Sequence, residues 1–299
     1  MSEKYTFSVI GGDCRQNIII KELLSKGHSV KVFSMSSSSA GITGAEISSS
    51  LEKAVSETAV LLLPLPATKD GITVNLTSPS EYVRISDILH LFRKNESPVL
   101  VGGIIPPELV LAANEAGIEV VDFYKSEALQ EKNALPSAEG AIMVAMENTD
   151  TIIESMSVLV CGFGRIGKIL ASKLKLLGAY VSVAARRDEV LCEIAMSGFT
   201  PIDLRNAEQL SAATNRSAVI FNTVPVQIFN RQIIDKINGD PLYIEIASSP
   251  GGIDIPLARS RGIRIIFAPS LPGKYAPATA GKYIFETITD ILDQRGMKI

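Results

Sequence analysis

The sequence has few of the residues that build metal centres and disulfide frameworks. Its 299 residues include three cysteines and two histidines. An odd number of scattered cysteines makes neither a disulfide framework nor a metal cluster, and a zinc or iron site would lack its usual ligands. A net charge of −3 without basic runs argues against nucleic-acid binding. We therefore expect no metal ion and no nucleic-acid partner.

Long hydrophobic runs are also absent, although the composition is apolar overall. Hydrophobic residues make up 46% of the chain, which indicates a globular protein with a large core. No run approaches the roughly 18 apolar residues that cross a membrane. Residues 1–5 lead into a predicted strand without a signal-peptide segment. These features predict a soluble, cytoplasmic protein, and the length suits two domains better than one.

Segment Ser157–Gly178 has the pattern of a dinucleotide-binding unit. A strand predicted to be buried on both faces runs into Gly-x-Gly-x-x-Gly and then into an amphipathic helix. The first glycine permits the turn, the second lets backbone N–H groups approach a pyrophosphate, and the third lets helix and strand pack closely. The helix N-terminus adds N–H donors and a partial positive charge. Cofactor contacts are expected from Gly162, Gly164, Arg165, Ile166 and Gly167.

The end of the next predicted strand indicates which dinucleotide binds. NAD sites usually place an acid about 20 residues past the glycines, where it accepts hydrogen bonds from the ribose 2′-OH. Ala185 occupies that place, and Arg186 and Arg187 follow it. A guanidinium can meet a 2′-phosphate with parallel charged hydrogen bonds, so the pattern favours NADP. Asp188 would instead favour NAD, and the arginine pair could also be a solvated helix start.

Two loops after later predicted strands are of the type that borders a nicotinamide. Asn222–Pro225 and Ala247–Asp254 are rich in small and polar residues, which leave room for a ring and offer hydrogen bonds to its amide. Each loop alone is an ordinary turn, but both follow strands of the same predicted sheet. Further cofactor contacts are therefore expected from Asn222, Thr223, Pro225, Ala247 and Ser248.

The first 130 residues predict a second α/β unit. Tyr5–Ile10 predicts a strand followed by Gly11 and Gly12, but Asp13 and Arg15 stand where a pyrophosphate would need bare backbone. We therefore expect this unit to bind a different ligand. A cation at a helix N-terminus is mildly unfavourable, so Arg15 is a candidate to bind a substrate carboxylate. A surface arginine is the alternative.

Other candidates stand in predicted loops and helix starts. The serine-rich residues 34–39 predict a loop, with Thr43 as a possible ligand contact just beyond it. Pro136 predicts the start of a long helix, which would place Ser137 and Glu139 at a cleft between domains. In the alternative interpretation Ser137 caps this helix and Glu139 offsets its dipole.

Together these patterns predict an α/β protein with two Rossmann-like, open parallel-sheet domains and an interdomain cleft. Lys274 and Thr279, in the last segment before the C-terminal helix, are expected at the edge of that cleft. The predicted parts are an N-terminal substrate-side domain over 1–135 with 274–299, a linking helix over 136–156, and an NADP-binding domain over 157–273.

Short motifs along nearly the whole chain resemble one known family. They are Ile10–Asp13 with Arg15–Gln16, Pro136 with Glu139–Gly140, Gly162–Arg165 with Gly167, Asn222–Thr223 with Pro225, Ala247–Ser248 with Pro250–Gly252, and Leu271–Gly273 with Ala276–Pro277 and Thr279–Gly281. Together they resemble the family of dipicolinate synthase A-subunits, and the N- and C-terminal motifs are more specific than the glycine motif. The serine-rich stretch has no match in this resemblance.

The resemblance implies an oxidoreductase of sporulating bacteria, located in the mother cell, on a branch from lysine biosynthesis. Its substrate would be dihydrodipicolinate or the hydrated precursor, oxidised to dipicolinate with NADP. The implied partner is the flavoprotein-like B-subunit of dipicolinate synthase, and a homo-oligomer is also possible. A dicarboxylate needs cationic anchors, for which Arg15 and Lys274 are candidates. Glu139 and Lys274 are the expected catalytic residues, and Glu139 could supply an acid if water must leave. Thr43, Ser137 and Thr279 complete the expected substrate contacts.

Two other functions remain open. A 2-hydroxyacid or amino-acid dehydrogenase could share the architecture, but hydroxyacid oxidation normally uses a histidine base, and neither His28 nor His90 is near the predicted cleft motifs. Alternatively, the chain could be an NADP-binding scaffold whose chemistry depends on the partner. Activity of the isolated chain would distinguish the scaffold from an enzyme.

Overall fold

The structure is a computed structural model that describes residues 3–35, 42–77 and 81–299. It divides into two compact units. Unit 1 comprises Met1–Asn133 and Ala276–Ile299, and unit 2 comprises Ala134–Tyr275. Most of the serine-rich stretch that predicts a loop lies outside the described residues.

Each unit contains one six-stranded sheet in which every neighbouring pair is parallel. In unit 1 the strand order is β3-β2-β1-β4-β5-β6, and in unit 2 it is β12-β11-β10-β7-β8-β9. Both orders are that of the dinucleotide-binding Rossmann fold, which confirms the predicted fold class. The strands are β1 (Thr6–Ile10), β2 (Ser29–Phe33), β3 (Glu46–Ile47), β4 (Val60–Leu62), β5 (Val99–Gly102), β6 (Glu119–Asp122), β7 (Ser157–Cys161), β8 (Tyr180–Ala185), β9 (Thr200–Asp203), β10 (Val219–Asn222), β11 (Leu242–Glu245) and β12 (Ile265–Phe267).

Helices connect the strands, as parallel pairing requires. They are α1 (Cys14–Ser25), α2 (Leu51–Val55), α3 (Ile85–Phe92), α4 (Pro107–Glu115), α5 (Glu127–Glu147), α6 (Arg165–Leu176), α7 (Asp188–Met196), α8 (Ala207–Arg216), α9 (Arg231–Ile234), α10 (Ile255–Ser260), α11 (Leu271–Tyr275) and α12 (Pro277–Asp293). A short 3-10 helix covers Phe123–Lys125. Helix α12 returns to unit 1 and packs along α1.

The central strands are buried on both faces because their side chains alternate between two cores. In β7, Val158 and Val160 pack with residues of α5 and α6, whereas Leu159 and Cys161 pack with residues of α8 and α9. All four are at most 1% exposed. A continuous apolar strand is therefore stabilised from both sides, as the sequence predicts for β7.

Two strands are not predicted by the sequence patterns. Strand β3 has only two residues, Glu46 and Ile47, and both are exposed. Strand β9 contains Pro201, which has no N–H to donate and disfavours a strand assignment. Because β9 lies at the edge of its sheet, it pairs on one side only, and proline is tolerated there.

The prediction that a helix begins at Pro136 is wrong. Helix α5 begins at Glu127 and continues to Glu147, so Pro136 lies in its interior. A proline in a helix interior removes an N–H donor and crowds the carbonyl four residues earlier, which is why the pattern favours a helix start. Ser137 is consequently an interior residue and does not cap the helix.

Candidate functional site

The turn between β7 and α6 uses its three glycines in different ways. Gly162 has φ +99°, and its N–H donates to the Ala184 carbonyl at 2.8 Å. A Cβ on Gly167 would clash with the Gly162 carbonyl oxygen, whereas a Cβ on Gly164 would meet nothing within 4 Å. Gly162 and Gly167 therefore permit the close turn, and the space beside Gly164 is open to a ligand.

Helix α6 begins beside this open space. Gly164 is its N-cap residue, and no side chain in the described parts of the chain caps this end. The first N–H groups of a helix have no partner within it and carry a partial positive charge. The backbone N–H groups of Arg165 and Ile166 belong to this first turn. The arrangement suits an anionic group such as a pyrophosphate.

An open pocket of about 500 Å³ extends from the glycine turn to the end of β8. Its volume lies within the usual range for small-molecule sites. Arg186 and Arg187 line it and are exposed, and neither has an ion-pair partner among residues 3–35, 42–77 and 81–299. Val190 and Leu204 add apolar wall. The glycine turn and the arginine pair therefore belong to one pocket.

Asp188, the residue that would favour NAD, is held by another side chain. Arg205 donates from Nη1 to Asp188 Oδ2 at 3.3 Å and makes a closer ion pair from Nη2 to Oδ1. The same guanidinium binds Asp203 through Nε to Oδ1 at 2.9 Å and Nη2 to Oδ2 at 2.8 Å. These hydrogen bonds from Arg205 lower the pKa of Asp203. Both carboxylates are therefore engaged by one cation.

A buried carboxylate links the loops after β10 and β11. Glu245 is 3% exposed, and both of its oxygens accept hydrogen bonds. Oε1 accepts from Asn222 Nδ2 at 2.6 Å and from the Ala247 N–H at 3.2 Å. Oε2 accepts from the Gly252 N–H at 2.8 Å and from the Tyr243 hydroxyl at 3.2 Å. Burial, and secondarily the Glu245 charge, raises the pKa of Tyr243, so that hydroxyl stays a donor.

The predicted nicotinamide contacts occupy the loops that this carboxylate holds. Asn222 is fully buried and is committed to Glu245 and to the Val224 backbone. Thr223 donates its hydroxyl to the Cys161 carbonyl at 2.8 Å, which fixes it against the end of β7. The loop that carries half-buried Ala247 and exposed Ser248 is the more open of the two, and Pro225 is also exposed.

In unit 1, the turn after β1 holds an ion pair between buried Arg15 and half-buried Asp13 instead of an open glycine turn. Arg15 is 6% exposed and pairs with Asp13 through Nε to Oδ1 at 2.9 Å and Nη2 to Oδ2 at 2.8 Å. Nη2 also donates to the Leu65 carbonyl at 2.6 Å. Burial of Asp13 acts to raise its pKa, but the hydrogen bonds and charge of Arg15 outweigh burial and lower it. Within the described residues, Arg15 Nη1 makes no hydrogen bond.

Thr279 lies at the start of α12, the helix that packs along α1 in unit 1. It is exposed in the first turn of α12, and α12 begins without a side-chain cap in the described part of the chain. Two residues later, Gly281 packs directly on α1, where an added Cβ would lie 2.7 Å from the Arg15 carbonyl oxygen. The close approach brings the N-terminal ends of α1 and α12 together.

Glu139 and Lys274, the candidate catalytic groups, both have partners in unit 2. Glu139 is exposed and pairs with Lys173 Nζ at 2.8 Å. Lys173 is eight residues from the start of α6, about 12 Å along the helix, so the pair lies away from the glycine turn. Lys274 is exposed, with its ammonium 4.7 Å from the centre of the Tyr275 ring. A hydrogen bond with Tyr275 raises the pKa of Lys274.

Ser137 and Thr43, the other expected substrate contacts, belong to different units. Ser137 is buried in the interior of α5 and belongs to unit 2. Thr43 is exposed in a turn before β3, and its neighbour Gly44 would place a Cβ 3.6 Å from a Leu24 methyl carbon. Leu24 is nine residues from Arg15 on α1, about 13 Å along the helix.

The two histidines lie in unit 1, at positions that do not suit a catalytic base. His28 is 5% exposed, accepts a hydrogen bond from the Tyr5 N–H and packs edge-on against Phe7. Burial, followed by the charges of nearby lysines, lowers the pKa of His28. His90 is exposed on α3. Within the described ranges, no three histidine, cysteine or acidic residues converge as a metal site would require, and no helix is long and apolar enough to span a membrane.

The strand order and the glycine turn are those of the dinucleotide-binding Rossmann fold. The chain has the fold of two-domain dehydrogenases, and it is similar to the structure of L-alanine dehydrogenase with a TM-score of 0.66, 13% identity and coverage of 97% of this chain and 90% of the other. A family model for the N-terminal domain of the dipicolinate synthase A-subunit matches residues 6–124. The chain is 31% identical over 286 residues to the A-subunit of dipicolinate synthase from Bacillus subtilis (strain 168), covering 95% of each chain.

A solved structure extends this similarity over both units. The crystal structure of the dipicolinate synthase A-subunit from Bacillus halodurans matches with a TM-score of 0.85 and 28% identity, covering 97% of this chain and 98% of the other. The chain therefore belongs to the family of dipicolinate synthase A-subunits, as the motif resemblance predicts.

Two residues of the site region are missed by sequence reasoning. Glu245 ends a strand of otherwise apolar residues, and a charged residue in a buried strand is a signal that it has fixed partners. Arg205 gives no signal of its own, because it pairs with Asp188 across 17 positions in the sequence. The contact depends on the register between β8 and β9, in which Ala185 faces Asp203.

Proposed function

We propose that the chain is an NADP-dependent oxidoreductase that oxidises dihydrodipicolinate, or its hydrated precursor, to dipicolinate during spore formation. The carrying observation is one pocket that combines the open space at Gly164, the uncapped start of α6 and two exposed arginines without ion-pair partners in the described residues. Membership of the dipicolinate synthase family supports the choice of product.

The residues of unit 2 fit NADP in three parts. The N–H groups at the start of α6 face the pyrophosphate, and Arg186 and Arg187 bind the 2′-phosphate with charged hydrogen bonds. The loops after β10 and β11, held by Glu245, border the nicotinamide. NADP, when bound, supplies the hydride acceptor. The protein positions the nicotinamide and the substrate and excludes water from the site of hydride transfer.

The residues of unit 1 fit a carboxylate of the substrate. Asp13 and the Leu65 carbonyl hold the Arg15 guanidinium through Nε and Nη2. The two Nη1 donors remain for a ligand, and the nearby start of α12 with Thr279 adds backbone and hydroxyl donors. Because Asp13 fixes the guanidinium before the ligand arrives, little side-chain entropy is lost on binding.

The reaction removes one hydride and one proton. Oxidation of the dihydro ring would transfer a hydride from a saturated ring carbon to bound NADP and release a proton from the neighbouring carbon to solvent, so that the ring becomes aromatic. If the substrate is the hydrated precursor, water leaves first. The raised pKa of Lys274 keeps its ammonium charged, which suits an anchor for a carboxylate better than a base. The ion pair between Glu139 and Lys173 favours a structural role for Glu139 over that of an acid.

An anaerobic assay tests the proposal. The purified chain is mixed with NADP and freshly generated dihydrodipicolinate, with and without the partner, which we infer to be the flavoprotein-like B-subunit. We expect absorbance of reduced nicotinamide to rise in step with dipicolinate. Reduction by the chain alone places the hydride chemistry here, whereas reduction only with the partner favours an NADP-binding scaffold. Turnover of lactate or alanine in place of dihydrodipicolinate would contradict the proposal.

The substrate part of the proposal predicts a specific effect of Arg15→Lys. Lysine keeps the charge but loses the planar fork that binds Asp13 and a carboxylate together. We expect KM for dihydrodipicolinate to rise about tenfold or more, with NADP affinity unchanged. The matched control is Arg93→Lys, at an exposed position after α3. An unchanged KM in Arg15→Lys would remove Arg15 from the substrate site.

A further inference from the structure

Arg205 does not line the proposed cofactor pocket, but it lies next to residues that do. It follows Leu204, which lines the pocket and whose N–H donates to the Ala185 carbonyl at 2.9 Å. Its guanidinium therefore stands beside the end of β8, where Arg186 and Arg187 begin. From there it reaches Asp188, the first residue of α7.

Asp203 fixes the direction of this guanidinium. The Asp203 carboxylate accepts from the Arg205 backbone N–H at 2.8 Å as well as from Nε and Nη2. Asp203 ends β9 as the register partner of Ala185 at the end of β8. Arg205 is thus bound to Asp203 at the end of β9 and, at the same time, holds Asp188, which follows the end of β8.

The charge of Asp188 bears directly on which nucleotide the pocket accepts. Without Arg205, the Asp188 carboxylate would lie two residues from Arg186 with no cation fixed to it. It would then pair with the pocket arginines or repel a doubly charged 2′-phosphate, and it would be free to accept a hydrogen bond from a ribose 2′-OH. Each of these effects disfavours NADP relative to NAD.

We propose that Arg205 is a positioning residue for cofactor specificity: it holds Asp188 against the end of β9, so that Arg186 and Arg187 face the 2′-phosphate without a competing carboxylate. The inference rests on the proposed binding of NADP in this pocket. Arg205 acts through Asp188 and does not itself bind the phosphate.

Calorimetric titration with the adenosine halves of the two cofactors, 2′,5′-ADP and 5′-AMP, tests the inference at low ionic strength, where exposed charges act most strongly. The variant Arg205→Gln is expected to bind 2′,5′-ADP about fivefold more weakly and 5′-AMP within about twofold of the wild type. The double variant Asp188→Asn/Arg205→Gln is expected to recover the lost affinity, because the freed carboxylate is gone. Arg205→Lys should lose less than Arg205→Gln.

Two matched variants separate this effect from a general loss of fold or charge. Asp188→Asn alone is expected to bind 2′,5′-ADP within about twofold of wild type, since Arg205 already neutralises Asp188. Glu189→Gln changes the neighbouring exposed acid, which Arg205 does not contact, and should not rescue Arg205→Gln. Thermal unfolding of each variant confirms that the titrated protein is folded.

The outcomes divide clearly. If the wild type binds 2′,5′-ADP no better than 5′-AMP, the NADP preference fails, and this inference fails with it. If the wild type shows the preference and Arg205→Gln keeps it, only the inference is overturned. Equal weakness of Arg205→Gln and the double variant would show that Arg205 contacts the phosphate or supports the pocket directly, which also overturns it.

Discussion

At the scale of single residues, Glu245 shows how a buried charge can organise a binding edge. Its two oxygens accept four hydrogen bonds, from the Asn222 and Tyr243 side chains and from the Ala247 and Gly252 backbone. Both oxygens of a carboxylate accept hydrogen bonds, whereas one end of an amide donates them. A carboxylate therefore suits a site surrounded by four donors better than an amide does. Glu245 thereby fixes both loops that we propose to border the nicotinamide.

Replacing Glu245 with glutamine is expected to destabilise the protein. The glutamine amide has nearly the same size as the carboxylate. Its N–H₂ group, however, would face hydrogen-bond donors that in the wild type donate to a carboxylate oxygen. We expect the free energy of unfolding to fall by about 2–4 kcal/mol in urea titration. The control Glu154→Gln, at an exposed position in the same unit, should change it by less than about 0.5 kcal/mol. Equal effects in the two variants would contradict this role.

Single residues also mark the limit of prediction from the sequence. The position of Arg186 and Arg187 could be predicted because the two residues follow closely after a strand that the sequence predicts. Their place at the carboxyl ends of the strands follows from this order along the chain. The ion pair of Asp188 with Arg205 could not be predicted, because it depends on the pairing of β8 with the edge strand β9. Pro201 disfavours a strand assignment for β9 when the sequence is considered alone. For a similar reason the position of Thr43 relative to Arg15 could not be predicted, because the following strand, β3, has only two residues and gives almost no strand signal.

At the scale of elements, the strand, turn and helix from β7 to α6 are predicted closely by the sequence. The strand runs over Ser157–Cys161 as expected, because an apolar, β-branched run bounded by glycine has few other interpretations. Helix α5 is the counterexample. Its packing in the core outweighs the cost of an interior proline, and only tertiary contacts reveal that.

Two alanine substitutions in the glycine turn should separate ligand binding from folding. Gly164→Ala adds a Cβ in open space, so we expect the free energy of unfolding to change by less than about 1 kcal/mol, with NADP affinity at least about tenfold weaker. Gly167→Ala drives a Cβ into the Gly162 carbonyl oxygen and should cost about 2 kcal/mol or more of stability. Urea unfolding and calorimetric titration with NADP measure both.

The two variants serve as controls for each other, since they introduce the same methyl group three residues apart. If Gly164→Ala bound NADP as tightly as the wild type, the open space beside Gly164 would not hold a pyrophosphate. If Gly167→Ala were as stable as Gly164→Ala, the close approach of α6 to β7 would not limit the residue at that position.

At the scale of the whole molecule, the chain repeats one strand order in two units but equips the two turns differently. In unit 2 the turn after the first strand is open backbone beside a helix N-terminus. In unit 1 the corresponding turn contains the ion pair of Asp13 with Arg15. We therefore propose that the same architecture binds an anionic group through N–H groups in unit 2 and through a guanidinium in unit 1. Asp13 and Arg15, which stand in the first turn where a pyrophosphate would need bare backbone, predict this difference from the sequence alone.

The measurement that tests the proposed chemistry most directly is the transfer of deuterium from substrate to cofactor. Dihydrodipicolinate deuterated at its saturated ring carbons is incubated anaerobically with NADP and the chain, with and without the partner, before the label exchanges. We predict that each dipicolinate formed leaves one deuterium at the nicotinamide C4 of the reduced cofactor, detected by proton NMR and mass spectrometry. Dipicolinate formed through this chain with no deuterium in NADPH would contradict hydride transfer to NADP.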